Sequence, residues 1–284
     1  MALRAGQVVT LKVEREADFG VFLSDGEEDI LLHNNEQTKK LELDEEVEVF
    51  LYQDNEGRLA SSMTIPEASF EDYVKTTING TRYNTGVFAN IGIQKDVLVS
   101  LDDLPQRRTF WPEEGDQLYI RLKHDQKLRL LGDPAPYAYF NLQAKPAPEE
   151  WNNMDVEGLV FAQRDPGVNV WVNEQTIGFL HEQEMERWPR LGEVMKLRVT
   201  NVKPDGTVLL SARPRAHEAI DIDADLIMNH LLEHDGQMTY GDKTPPETID
   251  EVFGLSKAAF KRALGRLLKD KKIEKHETGI RLTK

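Results

Sequence analysis

The sequence predicts a multidomain, mainly β chain: three tandem five-stranded barrels followed by a small α+β module. Three observations carry this. One order of short strands recurs three times over residues 1–217, stretches marked by proline and glycine separate the copies, and beyond residue 218 the apolar spacing turns helical.

The first copy, residues 1–67, begins where Val8, Thr10 and Lys12 alternate with Val9, Leu11 and Val13. Phe19-Gly20-Val21-Phe22, Ile30-Leu31-Leu32-His33, Val47 to Leu51 and Arg58 to Ser61 complete five short strands. Their Gly, Asn and Asp punctuation argues for a small closed barrel. The second copy, 68–145, repeats the order less fully, with Gly86-Val87-Phe88, Val97 to Ser100, Gly115 to Tyr119 and Lys127 to Leu130. The third, 146–217, runs Val156 to Gln163, Val168 to Val172, Gly178 to His181, Leu191 to Val194 and Gly206 to Ser211. Pro66, the cluster Gly132 to Pro148, and Pro214 fall between the units, where a residue with a fixed φ or no side chain interrupts strands and helices.

In residues 218–284, Ile227, Leu231 and Leu232 form one apolar helix face. Thr244-Pro245-Pro246-Glu247 reads as a capping box with proline in the first turn, and Gly254 closes that short helix. Ser256 caps a third helix whose Phe260, Ala263, Leu264, Leu267 and Leu268 make one buried stripe. Alternation over 272–282 around Glu277-Thr278-Gly279 reads as a hairpin. Helix, short helix, basic helix, hairpin is the outline of a winged helix-turn-helix.

The first repeat resembles the RNA-binding domain of ribosomal protein S-one, an OB-type barrel. The matching elements are Gly6-x-Val8, Phe19 to Phe22, Leu31-Leu32-His33, Asp44 to Val47, and Asp54-x-x-x-Arg58 before Ser61-Ser62. The whole arrangement resembles the conserved virulence factor B family, cytoplasmic bacterial proteins with three such barrels and a winged helix. Its sharpest parts are Gly178 to His181, Asp205-Gly206-Thr207, Asp242 to Glu247 and Ser256 to Leu267. The resemblance implies an RNA-binding regulator of gene expression and virulence; the residues themselves offer no motif for a cofactor, metal or catalytic site.

The S-one motif implies a face made of Phe19, Phe22, His33 and Arg58, with Asp54 orienting Arg58. Aromatic faces stack on unpaired bases and cations meet phosphates. Strict alternation sets Phe19 and Phe22 on opposite faces, and a bend at Gly20 brings both to one surface. The competing reading makes Phe22 barrel core and His33 a surface polar residue. The second copy keeps Phe88, Asp125 and Arg129, has Thr85 and Ser100 where the first has Phe19 and His33, and offers Arg82, Tyr83 and Lys123 in compensation. The third keeps His181 but has Asn169 for Phe22, with Trp171 nearby, and Thr207 for Arg58, which suits a spacer or docking surface.

The chain has 35 Lys and Arg against 50 Asp and Glu, net −15, which argues against nucleic acid until the charges are placed. Residues 1–67 hold 6 basic and 16 acidic residues. Glu27, Glu28, Asp29, Glu45 and Glu46 fall in predicted loops that point away from the motif. Residues 256–275 hold eight cations against Asp270 and Glu274, and of these Lys257, Lys261, Arg262, Arg266, Lys269, Lys272 and Lys275 are candidate nucleic-acid contacts. The other reading of such a run is a solvated helix face.

No cysteine is present, which excludes disulfides and thiolate chemistry and suits a reducing cytoplasm. No apolar run reaches the ~18–20 residues that span a bilayer, and Met1 to Asp18 lacks the apolar core of a signal peptide. His230 and His234 have ligand spacing but no third ligand, and His181-Glu182 does not continue as a metalloprotease motif. The expected partner is single-stranded RNA, held without chemistry. Two alternatives are duplex DNA read by the winged helix, and a scaffold whose acidic barrel docks on the ribosome, a polymerase or another basic protein.

Overall fold

The computed structural model describes residues 2–276 and 279–283, without the side chains of Ala216 and His217. Its first strands are β1 (Val8–Ala17), β2 (Gly20–Ser24), β3 (Asp29–His33), β4 (Glu46–Gln53) and β5 (Leu59–Ser62). They close a barrel in the order β1-β2-β3-β5-β4, with β3 and β5 parallel and the other described pairs antiparallel. Alternation decides the inside: Leu11, Val13, Val21, Leu23, Ile30, Leu32, Val47, Val49 and Leu51 fill the core.

Strands β6 (Val74–Arg82), β7 (Gly86–Asn90), β8 (Val97–Ser100), β9 (Gln117–His124) and β10 (Leu130–Pro134) close the second barrel. Strands β11 (Asp155–Arg164), β12 (Gly167–Val172), β13 (Thr176–His181), β14 (Val194–Val202) and β15 (Val208–Ser211) close the third, with the same connectivity. Each first strand carries a β-bulge, at Val13/Arg15, Ile78/Gly80 and Val160/Ala162.

Several strand boundaries differ from the sequence reading. β6 went unseen because Ile78 is its one fully buried apolar side chain among threonines, asparagine and glycine. Lys127 to Arg129 lie in the turn before β10, where Leu128 holds the left-handed φ of +59° that Gly57 and Gly206 supply in the other barrels. Leu191 to Glu193 are likewise a turn, with Gly192 at φ +83°, and the strand begins at Val194.

The three barrels form one compact unit, residues 1–212. Phe50, Tyr52 and Ala60 of the first barrel join the apolar core of the second. The Gln53 amide clamps the second barrel's backbone: Nε2 donates to the Leu128 carbonyl at 3.2 Å, and Oε1 accepts from Leu130 N–H at 3.1 Å. Between barrels two and three, helix α1 (Tyr137–Gln143) inserts Phe140 against Phe161, with ring centroids 4.0 Å apart, and against Trp171. Buried Asp116 accepts two hydrogen bonds from Arg190, at 2.8 and 3.1 Å.

Residues 213–284 form the second unit. It holds α2 (Ala216–Glu233), β16 (Gln237–Met238), α3 (Pro246–Phe253), α4 (Lys257–Lys269), β17 (Ile273–His276) and β18 (Gly279–Leu282), with sheet order β16-β18-β17. This is a winged helix. Ile227 and Leu231 are buried, but Leu232 is exposed, since it lies about 100° round the helix from Leu231. Thr244 does not cap α3: its hydroxyl accepts from Gly241 N–H, and Pro245 is the N-cap, with Pro246 in the first turn. Ser256 caps α4 through Ala259 N–H at 3.2 Å, and Phe260, Ala263, Leu264 and Leu267 are buried as the stripe requires. The hairpin tip at Glu277-Thr278 lies outside the described residues.

Gly20, Gly86 and Gly167 open the second strand of each barrel. A Cβ on them would stand 2.3, 2.0 and 2.2 Å from the carbonyl oxygens of Leu32, Val99 and Leu180. A Cβ on Gly80 meets nothing within 4 Å. Gly86→Ala is therefore expected to cost roughly 1–3 kcal/mol or more of stability, while Gly80→Ala stays within about 0.5 kcal/mol of the parent. Urea denaturation of the two variants checks the contrast.

Candidate nucleic-acid interface

On the first barrel, Val21 and Leu23 point into the core and Phe22 points out. Phe19 precedes β2 in the hairpin turn, so it escapes strand alternation. The two rings meet edge to face, with centroids 6.2 Å apart. The turn and the bulge in β1 thus do what a bend at Gly20 was expected to do. Phe19, Phe22, His33, Asp54 and Arg58 line one groove of about 500 Å³. Phe22 is not core, which removes the competing reading for that residue.

Asp54 fixes Arg58. One carboxylate oxygen accepts from Arg58 Nε and Nη2 at 2.9 and 2.7 Å, and the other from the Arg58 backbone N–H at 2.9 Å. Burial works against the charged carboxylate, but these hydrogen bonds outweigh it and hold Asp54 below its ordinary pKa. The guanidinium stays largely exposed and also pairs with Glu56 at 2.9 Å. The sequence reading missed Arg15, whose guanidinium carbon lies 3.4 Å from the Phe22 ring centroid. Of the five acidic residues expected to point away, Asp29 instead lines the groove, 3.5 Å from Arg15.

His33 has a local task. Its Nδ1 accepts from Asn35 N–H at 3.2 Å and caps a 3₁₀ turn, Asn34–Glu36. Ser100 and His181 cap the equivalent turns through Asp102 N–H and Gln183 N–H. The exchange of histidine for serine in barrel two therefore keeps the cap and loses the ring.

The second barrel repeats the core of this arrangement. Phe88 pairs across to Leu98 as Phe22 pairs to Leu31, and Asp125 holds Arg129 by a 2.7 Å bond to Nε. Arg82 lies 5.2 Å from the Phe88 ring centroid. Tyr83 is exposed but packs on Trp111 at 6.1 Å. Lys123 is elsewhere, between Asp103 at 2.8 Å and Asp133 at 3.2 Å; burial disfavours its charge, and these two carboxylates more than offset that, so its pKa is raised. In the third barrel Asn169 is buried and Trp171 packs in the α1 cluster, so neither presents a stacking face. Phe179 pairs opposite Asn169, and its ring lies 6.3 Å from His181: the aromatic has moved one strand over. Thr207 bonds Asp205 at 2.7 Å where the other barrels hold an arginine.

On α4, Lys261, Arg262, Arg266 and Lys269 are exposed and Lys257 is half-buried. Arg266 is shared between Asp221 and Asp270, each at 3.2 Å, and Lys275 pairs with Asp242 at 2.9 Å. Lys257, Lys261, Arg262, Lys269 and Lys272 make no ion pair among the described residues. No group of three or more His, Cys, Asp or Glu among the described residues is placed to hold a metal. No described helix is long and apolar enough to cross a membrane.

The comparisons agree with this architecture. Residues 5–64 match the S1 domain family, 73–133 the CvfB first S1-like domain, 140–214 the second domain of virulence regulatory factor CvfB, and 225–282 the CvfB-like winged helix domain. The chain is 40% identical over 272 residues to the uncharacterized protein YitL of Bacillus subtilis, covering 96% of this chain and 91% of that one. It is 34% identical over 245 residues to conserved virulence factor B of Staphylococcus epidermidis, covering 86% and 82%. A crystal structure of a multidomain protein with nucleic acid binding domains from Streptococcus pneumoniae superposes with a TM-score of 0.67, at 32% identity and 98% coverage of both chains.

His230 and His234 form a stacked pair, with ring centroids 4.1 Å apart, and His230 packs edge-on to Phe253 at 4.9 Å. Burial, reinforced by His234, lowers the His230 pKa from 6.5. The folded module thus binds fewer protons than the unfolded chain, and its stability falls as pH drops. Amide exchange of Ile227 and Leu231 is expected to show full protection above about pH 6.5 and declining protection below it. His230→Gln should flatten that dependence.

Proposed function

The chain belongs to the conserved virulence factor B family, and from that premise we propose that it is a cytoplasmic regulator of gene expression that binds single-stranded RNA without covalent chemistry. The carrying observation is the pairing, on the same outer face of barrels one and two, of an aromatic ring with an arginine clamped by an aspartate: Phe22 with Arg58–Asp54, and Phe88 with Arg129–Asp125. A ring serves any base because every base has a π face, and a fixed guanidinium meets phosphate without losing much rotamer freedom on binding. The unpaired lysines of α4 add a second anchor on the same chain, and tethering multiplies modest affinities.

A duplex reading through the winged helix is the second possibility, favoured by the exposed basic side of α4. Its lysines lie on the helix that enters a groove in such folds. The shared ring-and-arginine faces belong to the barrels, and they favour unpaired bases.

Fluorescence anisotropy of the full chain separates the two. Single-stranded RNA is expected to bind more tightly than duplex DNA of equal length, with affinity falling steeply as salt rises from about 50 to about 200 mM. Phe19→Ala should weaken binding by roughly 1–3 kcal/mol, because a half-exposed turn ring contributes stacking and little core. Stronger duplex binding, or a Phe19→Ala variant that loses stability and keeps affinity, would overturn the proposal.

A further inference from the structure

The groove on the face of barrel two, unlike that of barrel one, is lined by residues of two barrels. Phe88, Leu98, Arg129, Leu130 and Leu131 occupy the positions of Phe22, Leu31, Arg58, Leu59 and Ala60. Across from them stand Gln53, at the end of β4, and residues 54–57 of the β4–β5 turn of the other barrel. Together they enclose a groove of about 570 Å³. Ile93, Leu98 and Leu131 give it an apolar floor, and Phe88 lies half-buried in it.

Lys95 distinguishes this groove. It is half-buried, and its ammonium donates to the Asn55 side-chain oxygen at 2.7 Å across the barrel boundary. Among the described residues it has no carboxylate within ion-pair distance. Burial lowers its pKa, and the more distant Asp54 offsets part of that. Asp54, Glu56 and Asp96 also line the groove, but none pairs with Lys95, so this partly desolvated cation, held by a neutral amide, can still take an anion entering the groove. Lys127 and Arg129 stand exposed at the rim.

We propose that barrels one and two jointly build a nucleotide site for single-stranded RNA, with the base against Phe88 and its phosphate on Lys95, which Asn55 of barrel one positions. Asp54 lines both this groove and the Phe22 groove, so the two sites adjoin. The lost aromatic and histidine of barrel two, Thr85 and Ser100, are thereby replaced by a wall borrowed from its neighbour. This deepens the RNA-binding reading and rests on it.

The test uses the full chain with a labelled single-stranded RNA of about a dozen nucleotides, measured by anisotropy across a salt series, with thermal melts alongside. Phe88→Leu keeps apolar bulk and removes the π face; about a tenfold loss of affinity is expected. Lys95→Gln should weaken binding and flatten the slope of log affinity against log salt by about 0.7, the share of one phosphate on a single strand. Asn55→Ala, in the other barrel, should cost about threefold by releasing Lys95. If the parent chain binds RNA and all three folded variants match it, the groove is not a site and the proposal falls, while the RNA-binding reading stands. If the parent chain does not bind, both fall.

Discussion

Gly20, Gly86 and Gly167 let the second strand of each barrel lie against the third closely enough that no Cβ would fit between them. That approach sets the register in which Gly20 faces His33, Gly86 faces Ser100 and Gly167 faces His181. From this register the rest follows. Val21, Val87 and Val168 turn inward, while Phe22 and Phe88 turn outward. The third strand ends on a residue that caps the next turn, histidine or serine alike. A one-residue slip would exchange core for surface throughout.

Charge placement resolves an apparent conflict. A chain of net −15 repels polyanions at long range, and its most acidic barrel carries the fullest S-one motif. The acidic groups on that face are largely engaged: Asp54 is committed to Arg58 and Asp29 to Arg15. Each pair keeps an arginine oriented at the surface rather than neutralising it in the core. The same device recurs at Asp125 and Arg129. On the winged helix it runs the other way, since Asp221 and Asp270 occupy Arg266 and leave the lysines free. Such a surface favours contact at a few defined points over a broad electrostatic field.

The repeat, the barrel strands of the first copy and the stripe of α4 were legible because alternation and the 3.6-residue period report burial directly. β6 was not, since a strand of threonine, asparagine and glycine carries almost no apolar signal. The Leu191 to Val194 assignment mistook a turn for a strand because three of its four residues flank a glycine whose positive φ the sequence does not announce. At the face, Phe19, Phe22, His33 and Arg58 were found together. Arg15, Lys95 and Asn55 were not: each meets its partner, Phe22 for Arg15 and one another for Lys95 and Asn55, across a bulge or a barrel boundary. Phe179 was seen only as part of a third-copy strand, and it is pairing, not spacing, that sets it opposite Asn169.

On the proposed reading, one outer face, framed by the second and third strands of barrels one and two, holds single-stranded RNA. Photocrosslinking of 4-thiouridine-labelled RNA to the full chain, with the adducts mapped by mass spectrometry, tests it most directly. Adducts at Phe19, Phe22 and Phe88 are the predicted result. Efficient crosslinking confined to other surfaces, with none of these three residues labelled, would contradict it.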